Sequence, residues 1–159
     1  MIVWSQAILA GFVATALMTI AMYAGKIMGL SMDMPRAIGL MFVDETHPTA
    51  VYGVGMVLHF AIGCLFGVVY ALIFHLIGAG TAIGATAGAG IVIGIIHGLG
   101  LGAALGVIPA VHPRMGVGEL IEPPGFFGRN YGMSMPLGIV VLHVIFGGVL
   151  GVVYGSVVV

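Results

Sequence analysis

The nine charged residues of this 159-residue chain are confined to two segments, and this distribution constrains the fold more than any other feature. Residues 1–25, 46–113 and 130–159 contain no Asp, Glu, Lys or Arg. A helix needs about 20 apolar residues to cross the hydrocarbon core of a membrane. The first and last uncharged runs are therefore long enough for one span each, and the middle run is long enough for two spans and a turn.

The composition agrees with a membrane protein and excludes several other classes. The chain is 61% hydrophobic and 6% charged, whereas a soluble domain has about 25% charged residues. A net charge of −1 offers no basic surface to a nucleic acid. The single cysteine, Cys64, can form no internal disulfide. No nucleophile, base and orienting group follow one another in a recognisable order, which argues against catalytic activity.

The pattern of charge and hydropathy predicts an all-α membrane protein, with residues 1–159 forming a single domain of four transmembrane helices. The predicted spans are residues 3–30, 52–77, 83–108 and 136–159. The charged loops, residues 31–51 and 109–135, then lie on one face of the membrane. A short break at residues 78–81 predicts a tight hairpin between the second and third spans.

The basic residues predict an orientation. Three of the four Lys and Arg residues lie in the two charged loops, and the fourth, Lys26, is close to the end of the first predicted span that leads into them. Basic loops stay preferentially in the cytoplasm. We therefore expect cytoplasmic loops, with both termini outside. Four basic residues are few, so the opposite orientation is the alternative.

The second and fourth spans share a sequence pattern. At an offset of 84 residues, VLHFAIGCLFGVVY (57–70) aligns with VLHVIFGGVLGVVY (141–154) and matches one His, two Gly and one Tyr. A weaker match at an offset of 78 aligns residues 34–36 with residues 112–114 and places Thr19 opposite His97. These matches predict two tandem helical hairpins with pseudo-twofold symmetry along the membrane normal. They also predict equivalent environments for the two matched histidines.

Most of the 28 glycines lie inside the apolar spans. The third span has Gly at every fourth position over five positions, and the second and fourth spans each contain a GxxxG pattern. Small residues allow transmembrane helices to approach closely. We therefore expect a glycine zipper that packs helices within the bundle or between copies of the chain. The packing residues are Gly63, Gly67, Gly90, Gly94, Gly98, Gly102, Gly106, Gly147 and Gly151.

Three histidines, His59, His97 and His143, lie inside predicted spans. At about 1.5 Å per residue, all three fall in the half of the bilayer next to the charged loops. Ionisable residues in spans are functional candidates, and a neutral imidazole binds haem iron or a transition metal well. The candidate roles are ligation of haem b, ligation of a metal, and quinone or proton handling. The alternative is a structural hydrogen bond from each histidine to a neighbouring helix.

The charged loops contain a second, weaker set of candidates. His47, His112, Glu119 and Glu122 combine imidazoles with carboxylates, which suit several divalent metals. Their spacing matches no standard metal-binding motif. Solvated loop charges are the alternative interpretation.

Three segments carry a resemblance to a family. AGFVATALMT (10–19), LHFAIG (58–63) and LHVIFGGVLGVVYG (142–155) resemble an uncharacterised family of small four-helix bacterial and archaeal integral membrane proteins with no assigned function. The resemblance implies the inner or plasma membrane of a prokaryote. It implies no activity and no binding residues.

These observations lead to three functional hypotheses. We expect an accessory or structural subunit that packs through glycine-rich faces against partner subunits of a larger membrane complex, such as a redox or respiratory complex. The first alternative is an electron-transfer protein that binds haem b, a metal or a quinone through the intramembrane histidines. The second alternative is a small transporter. The expected partners are the lipid bilayer and either other subunits or further copies of the chain, with no nucleic acid.

Overall fold

The computed structural model describes residues 2–31, 33–80, 82–107 and 122–157, and this part of the chain is helical with no strand. Its helices are α1 (Trp4–Ile27), α2 (Met34–Leu40), α3 (Pro48–Leu76), α4 (Ile83–Ala104) and α5 (Met135–Val157), with a 3₁₀ segment η1 (Phe126–Tyr131). Helices α1, α3, α4 and α5 are long and apolar enough to cross a membrane. The prediction of an all-helical protein with four helices that could span a membrane is confirmed for the described residues.

Helices α1 and α3 end in the same way, and this fixes their lengths. After α1, the N–H of Leu30 donates to the carbonyl of Gly25 at 2.9 Å, and the N–H of Gly29 donates to that of Lys26 at 3.1 Å. Gly29 has a φ of 97°, a conformation that favours glycine. This is a Schellman motif. Residues 77–79 form the same arrangement after α3.

Helix α2 lies inside residues 31–51, which the sequence analysis assigned entirely to a loop. Asp33 caps its first turn by accepting a hydrogen bond from the N–H of Arg36 at 3.2 Å, and Pro35 occupies an early position where no N–H is needed. Gly39 packs against the backbone of Val51, and the backbone of Pro35 packs against Gly55. Helix α2 therefore lies directly on the first turns of α3.

The long helices pack in pairs. Helix α1 packs along α3, α4 packs along α5, and α1 also packs against α5, whereas α3 has only slight contact with α4 and with α5. The second and third spans, α3 and α4, are thus joined by the expected short connection, but their backbones make few close contacts. The main hydrophobic core combines α1, α3 and α5 through Ala7, Ala10, Ala14, Met18, Met22, Tyr70, Ala71, Phe74, Leu142, Phe146, Leu150 and Tyr154.

Glycines stand where α4 meets α5. A Cβ added at Gly90 would collide with the carbonyl oxygen of Gly147, and one added at Gly151 would collide with the backbone of Thr86. Gly98 lies close enough for its Cβ to be 3.1 Å from the Cα of Val140. These positions leave no room for a side chain, so the two backbones are in direct contact.

Glycines also stand where α1 meets α3. A Cβ at Gly63 would collide with the Thr15 side chain, and one at Gly67 would collide with the backbone of Ala7 and lie 2.9 Å from the Cα of Gly11. Two further glycines of the predicted set have other surroundings. Gly102 faces the ring of Phe127, and Gly106 lies in the turn after α4, near Phe126.

Candidate functional site

A cavity of about 590 Å³ lies at the end of the bundle that carries α2 and residues 122–131, here called the charged end. Its walls are mainly apolar and come from all four long helices. A ligand pocket in a protein typically has a volume of about 300–1,000 Å³. The helical part of the lining includes Thr15, Met18, His59, Ile62, Phe66, His97, Leu101, Leu105, His143 and Phe146.

All three intramembrane histidines line this cavity. His59 comes from α3, His97 from α4 and His143 from α5, so three different helices deliver one imidazole each. His59 and His143 are buried, at 8% and 5% exposure. The structure therefore brings together three residues that are far apart in the sequence.

The hydrogen bonds of His59 define its tautomer. Its Nε2 lies 3.1 Å from the hydroxyl of Thr19. That hydroxyl donates its one proton to the carbonyl of Thr15 at 2.7 Å and can only accept from the imidazole. Nε2 of His59 therefore carries the proton, and Nδ1 has the free lone pair.

His143 has the opposite tautomer. Its Nδ1 lies 2.7 Å from the carbonyl oxygen of Ile139, one turn earlier in α5. A carbonyl oxygen only accepts, so Nδ1 donates and Nε2 has the lone pair. His59 bonds to another helix and His143 bonds to its own helix. The expectation of equivalent environments for these two histidines was therefore wrong.

His97 contacts rings from three sides. Its Nδ1 lies 3.3 Å from the hydroxyl of Tyr70. Its ring centroid is 4.1 Å from that of Phe66 and 4.6 Å from that of His143. The imidazole of His97 is thereby the main link between α3, α4 and α5 at this level.

The lone pairs of His59 and His143 are open to the cavity. Among the described residues, neither Nδ1 of His59 nor Nε2 of His143 has a hydrogen-bond partner. Within the same part of the chain, Oε1 of Gln6 is the one side-chain nitrogen or oxygen that is both fully buried and without a hydrogen-bond partner. Since the two imidazole nitrogens also have no partner, they are not fully buried. The two imidazole nitrogens are therefore reachable from the cavity and can accept hydrogen bonds from a ligand.

Polar groups form the mouth of the cavity. Asp33, Arg36, Glu122 and Tyr131 belong to the lining. Asp33 pairs with Lys26 at 2.5 Å and accepts a hydrogen bond from the hydroxyl of Tyr52 at 2.9 Å. The hydroxyl of Tyr131 donates to the backbone carbonyl of Glu122. The mouth is thus held together by α2, α3 and the segment before η1.

Electrostatics keep these mouth groups in defined protonation states. Burial alone would raise the pKa of Asp33, but hydrogen bonds from Lys26, Arg36 and Tyr52 outweigh it and lower that pKa below 3.8. Burial and the nearby Glu122 carboxylate raise the pKa of Tyr131 above 10.0. Asp33 is therefore ionised and Tyr131 is neutral at physiological pH.

His97 and His143 are not placed to hold a haem between them. A haem held by two histidines lies between them, but the rings of His97 and His143 are in direct edge contact. The free lone pair of His59 is on Nδ1, so ligation of haem b or a metal by His59 and His143 stays a prediction. Over residues 2–31, 33–80, 82–107 and 122–157, no three His, Cys, Asp or Glu side chains are grouped closely enough to hold a metal ion.

The loop candidates are distributed differently. His47 is exposed just before α3, and Glu122 lies at the mouth of the cavity. His112 and Glu119 lie outside the described residues. A metal site formed by these four residues stays a prediction.

Sequence reasoning missed several cavity residues. Tyr70 and Phe66 were part of the repeated span pattern, but nothing in the pattern indicates that they contact His97. Arg36 and Asp33 were assigned to a loop. The sequence Asp-Met-Pro at residues 33–35 is a helix-start signal, and it could have indicated where α2 begins.

The chain matches no protein-family model, no curated protein and no solved structure. The family resemblance drawn from three segments therefore stays a prediction. What is known of the site comes from its own geometry: an apolar cavity in the membrane-spanning bundle, two open imidazole lone pairs, and a polar mouth.

Proposed function

We propose that this protein binds one small lipid-soluble molecule in the histidine-lined cavity. The observation that carries the proposal is the convergence of His59, His97 and His143, from three helices, on one mainly apolar cavity of about 590 Å³. Apolar pockets with a few placed polar groups are typical ligand sites. Histidines that served packing alone would not need to leave two nitrogens open to a cavity.

A blocking variant tests this proposal. In Leu101→Trp the larger side chain occupies the cavity, because Leu101 lines it. Leu99→Trp is the matched control on the same helix, since Leu99 is 47% exposed on the outer surface. Thermal unfolding is measured in lipid nanodiscs with a panel of tailed phenols, quinones, alcohols and carboxylic acids.

At least one compound class should raise the unfolding temperature of the wild type and of the control Leu99→Trp. The same compounds should not change the unfolding temperature of Leu101→Trp. A ligand at about 100 times its Kd stabilises a protein by about 2.7 kcal/mol, which is readily measurable. If no class stabilises the wild type, or if Leu101→Trp responds as strongly as Leu99→Trp, the proposal is wrong.

A second proposal keeps the role of accessory subunit in a larger membrane complex, such as an electron-transport complex. Helix α4 favours it, because only 22% of its most apolar 18-residue window is buried inside the bundle, against 44% for α1 and α5. Gly84, Gly88 and Gly100 have no atom within 4 Å of an added Cβ, so a partner helix could approach closely there. Migration as an isolated species in mild detergent, with no co-purifying subunit, would contradict this role.

The remaining alternative, a transporter, has no comparable support, because the cavity lining belongs to the charged half of the bundle.

We also propose that the two tandem hairpins, α1–α3 and α4–α5, arose by duplication and pack by the same glycine zipper. The contacts that support it are parallel: Gly11 faces Gly63 and Gly67, and Gly90 faces the matching glycines of α5. These contacts favour an offset of 79 between α1 and α4 over the offset of 78 expected from the loops. Thr19 then corresponds to Gly98, and His97 corresponds to Met18. The pseudo-twofold relation does not extend to the packing between hairpins, since α1 packs on α5 but α3 barely meets α4.

A further inference from the structure

The proposed ligand site has hydrogen-bonding properties that select among ligands. We infer that the cavity binds a hydroquinone with an apolar tail, whose ring hydroxyls donate to Nδ1 of His59 and Nε2 of His143. This inference rests on the proposed ligand-binding function and adds to it the chemical class of the ligand.

The acceptors decide the polarity of the head group. Both buried histidines direct their protonated nitrogen to the protein, His59 to Thr19 and His143 to Ile139. Each then has only a lone pair for a ligand, so a ligand with hydroxyl donors satisfies both. A carbonyl oxygen of an oxidised quinone, which only accepts, would face two other acceptors.

The walls next to the histidines favour a flat aromatic ring. Phe66, Phe146 and His97 all line the cavity, and the centroids of the His97 and Phe146 rings are 6.2 Å apart. Aromatic rings pair in offset or edge-to-face arrangements with centroids about 4.5–7 Å apart. A third ring can join this group, whereas a saturated chain would gain only apolar contact.

The loose packing of α3 against α4 provides a path for an apolar tail. Ile62 of α3 and Leu101 of α4 both line the cavity. Ile62 is also 43% exposed, so its side chain is not closed off by α4. A tail attached to a ring at the histidines can therefore leave the cavity between these two helices.

The charge of the mouth argues against an acidic amphiphile. Two cations, Lys26 and Arg36, stand there with two carboxylates, Asp33 and Glu122, and Lys26 is already paired. Among the described residues of the mouth, an anionic head group would find no excess of positive charge. This separates a neutral hydroquinone from a fatty acid of similar length.

Three probes that share one decyl tail test the inference. They are a 1,4-dihydroxybenzene, its dimethyl ether and the corresponding 1,4-benzoquinone, the dihydroxy compound being kept reduced without oxygen. Binding to the wild-type protein in nanodiscs is measured by calorimetry, with empty nanodiscs subtracted. We expect the hydroquinone to bind at least about tenfold more tightly than either other probe, since about 1.4 kcal/mol of hydrogen bonding corresponds to tenfold.

Variants and NMR locate the interaction. His143→Phe should remove most of the preference for the hydroquinone, and His143→Gln, whose amide oxygen can accept, should restore part of it. His75→Phe is the control, because His75 is exposed at the opposite end of α3. In ¹⁵N-histidine spectra, the lone-pair nitrogens Nδ1 of His59 and Nε2 of His143 should both shift when the hydroquinone binds.

The outcomes separate the two proposals. If the dimethyl ether or the quinone binds as tightly as the hydroquinone, the inference is wrong and the cavity remains a ligand site. The same holds if a decyl alcohol or decanoic acid competes equally well. If none of these compounds binds the wild type at all, both the inference and the proposed function fail. Because the first comparison uses unmodified protein, a variant that fails to fold does not affect it.

Discussion

At the scale of single residues, His59 and His143 illustrate how identical sequence contexts acquire different chemistry. Both follow Val-Leu in matching segments of their helices, yet one donates to Thr19 of another helix and the other donates to its own helix. The difference comes from the opposite helix, which presents a threonine hydroxyl in one case and the glycine Gly98 in the other. A match within one span carries no information on what faces it.

The hydrogen bond between Thr19 and His59 should be measurable as a coupling energy. We predict that a double-mutant cycle of Thr19→Val and His59→Phe gives about 0.6 kcal/mol, the average coupling of hydrogen bonds between membrane helices, and at most about 1.7 kcal/mol. Unfolding free energies in mixed micelles provide the measurement. The cycle of Thr19→Val with His143→Phe is the control and should give a coupling near zero. Equal couplings in both cycles would contradict the assigned partners.

Asp33 should make stability depend on pH. Its pKa is lower in the folded protein than the ordinary 3.8, so it stabilises the fold above about pH 4, and this contribution is lost as the pH falls through the folded-state pKa. We predict that Asp33→Asn lowers the unfolding temperature near pH 6 and that the difference from wild type shrinks on acidification to about pH 3. Glu45→Gln, at an exposed carboxyl in the same loop, should not alter the profile. A pH-independent difference for Asp33→Asn would contradict the role of its charge.

At the scale of helices, the contact between α4 and α5 depends on the absence of side chains. Gly147→Ala should destabilise the protein by about 1–3 kcal/mol, because the new methyl group collides with the carbonyl oxygen of Gly90 and the backbones must separate. Gly88→Ala is the matched control in α4: its Cβ meets no atom within 4 Å, and alanine favours a helix by about 1 kcal/mol. Unfolding in mixed micelles should therefore change in opposite directions for the two variants. A neutral Gly147→Ala would mean that α4 and α5 are less closely packed.

The long helices were predictable from the sequence, and the short ones were not. Apolar length and the positions of nine charges are enough to place four spans, because a bilayer demands about 20 apolar residues from each. Helix α2 has only seven residues and is stabilised by contact with α3 through Gly39 and Gly55. Such a helix depends on a neighbour that a local pattern does not reveal.

The same limit applies to the candidate site. Depth along each span correctly placed His59, His97 and His143 in one half of the bundle. Depth does not reveal which side of each helix faces its neighbours. The cavity and the contact of Tyr70 with His97 could therefore not be predicted from the sequence. Of the mouth residues, Glu122 was a candidate from the sequence, whereas Asp33, Arg36 and Tyr131 were missed because they lie at α2 and in η1.

At the scale of the whole molecule, the orientation in the membrane is a prediction that one experiment decides. The basic residues at the charged end favour an orientation with that end in the cytoplasm of a prokaryotic cell. A fluorescent protein that folds only in the cytoplasm should therefore be dark when fused to the C-terminus, and a periplasmic phosphatase fused there should be active. The same reporters fused after residue 43, in the first charged loop, provide the control with the opposite expected result. Reversed signals at both sites would place the loops outside.

The unequal packing of the four long helices has a mechanical consequence. Helix α1 packs along both α3 and α5, whereas the backbones of α3 and α4 make few close contacts and the two helices meet through His97 with Phe66 and Tyr70. If the proposed ligand enters between α3 and α4, these helices must separate, and the cross-section of the protein in the membrane plane increases. The lateral pressure of the lipids opposes this increase. The free energy of ligand entry then depends on the tension of the bilayer.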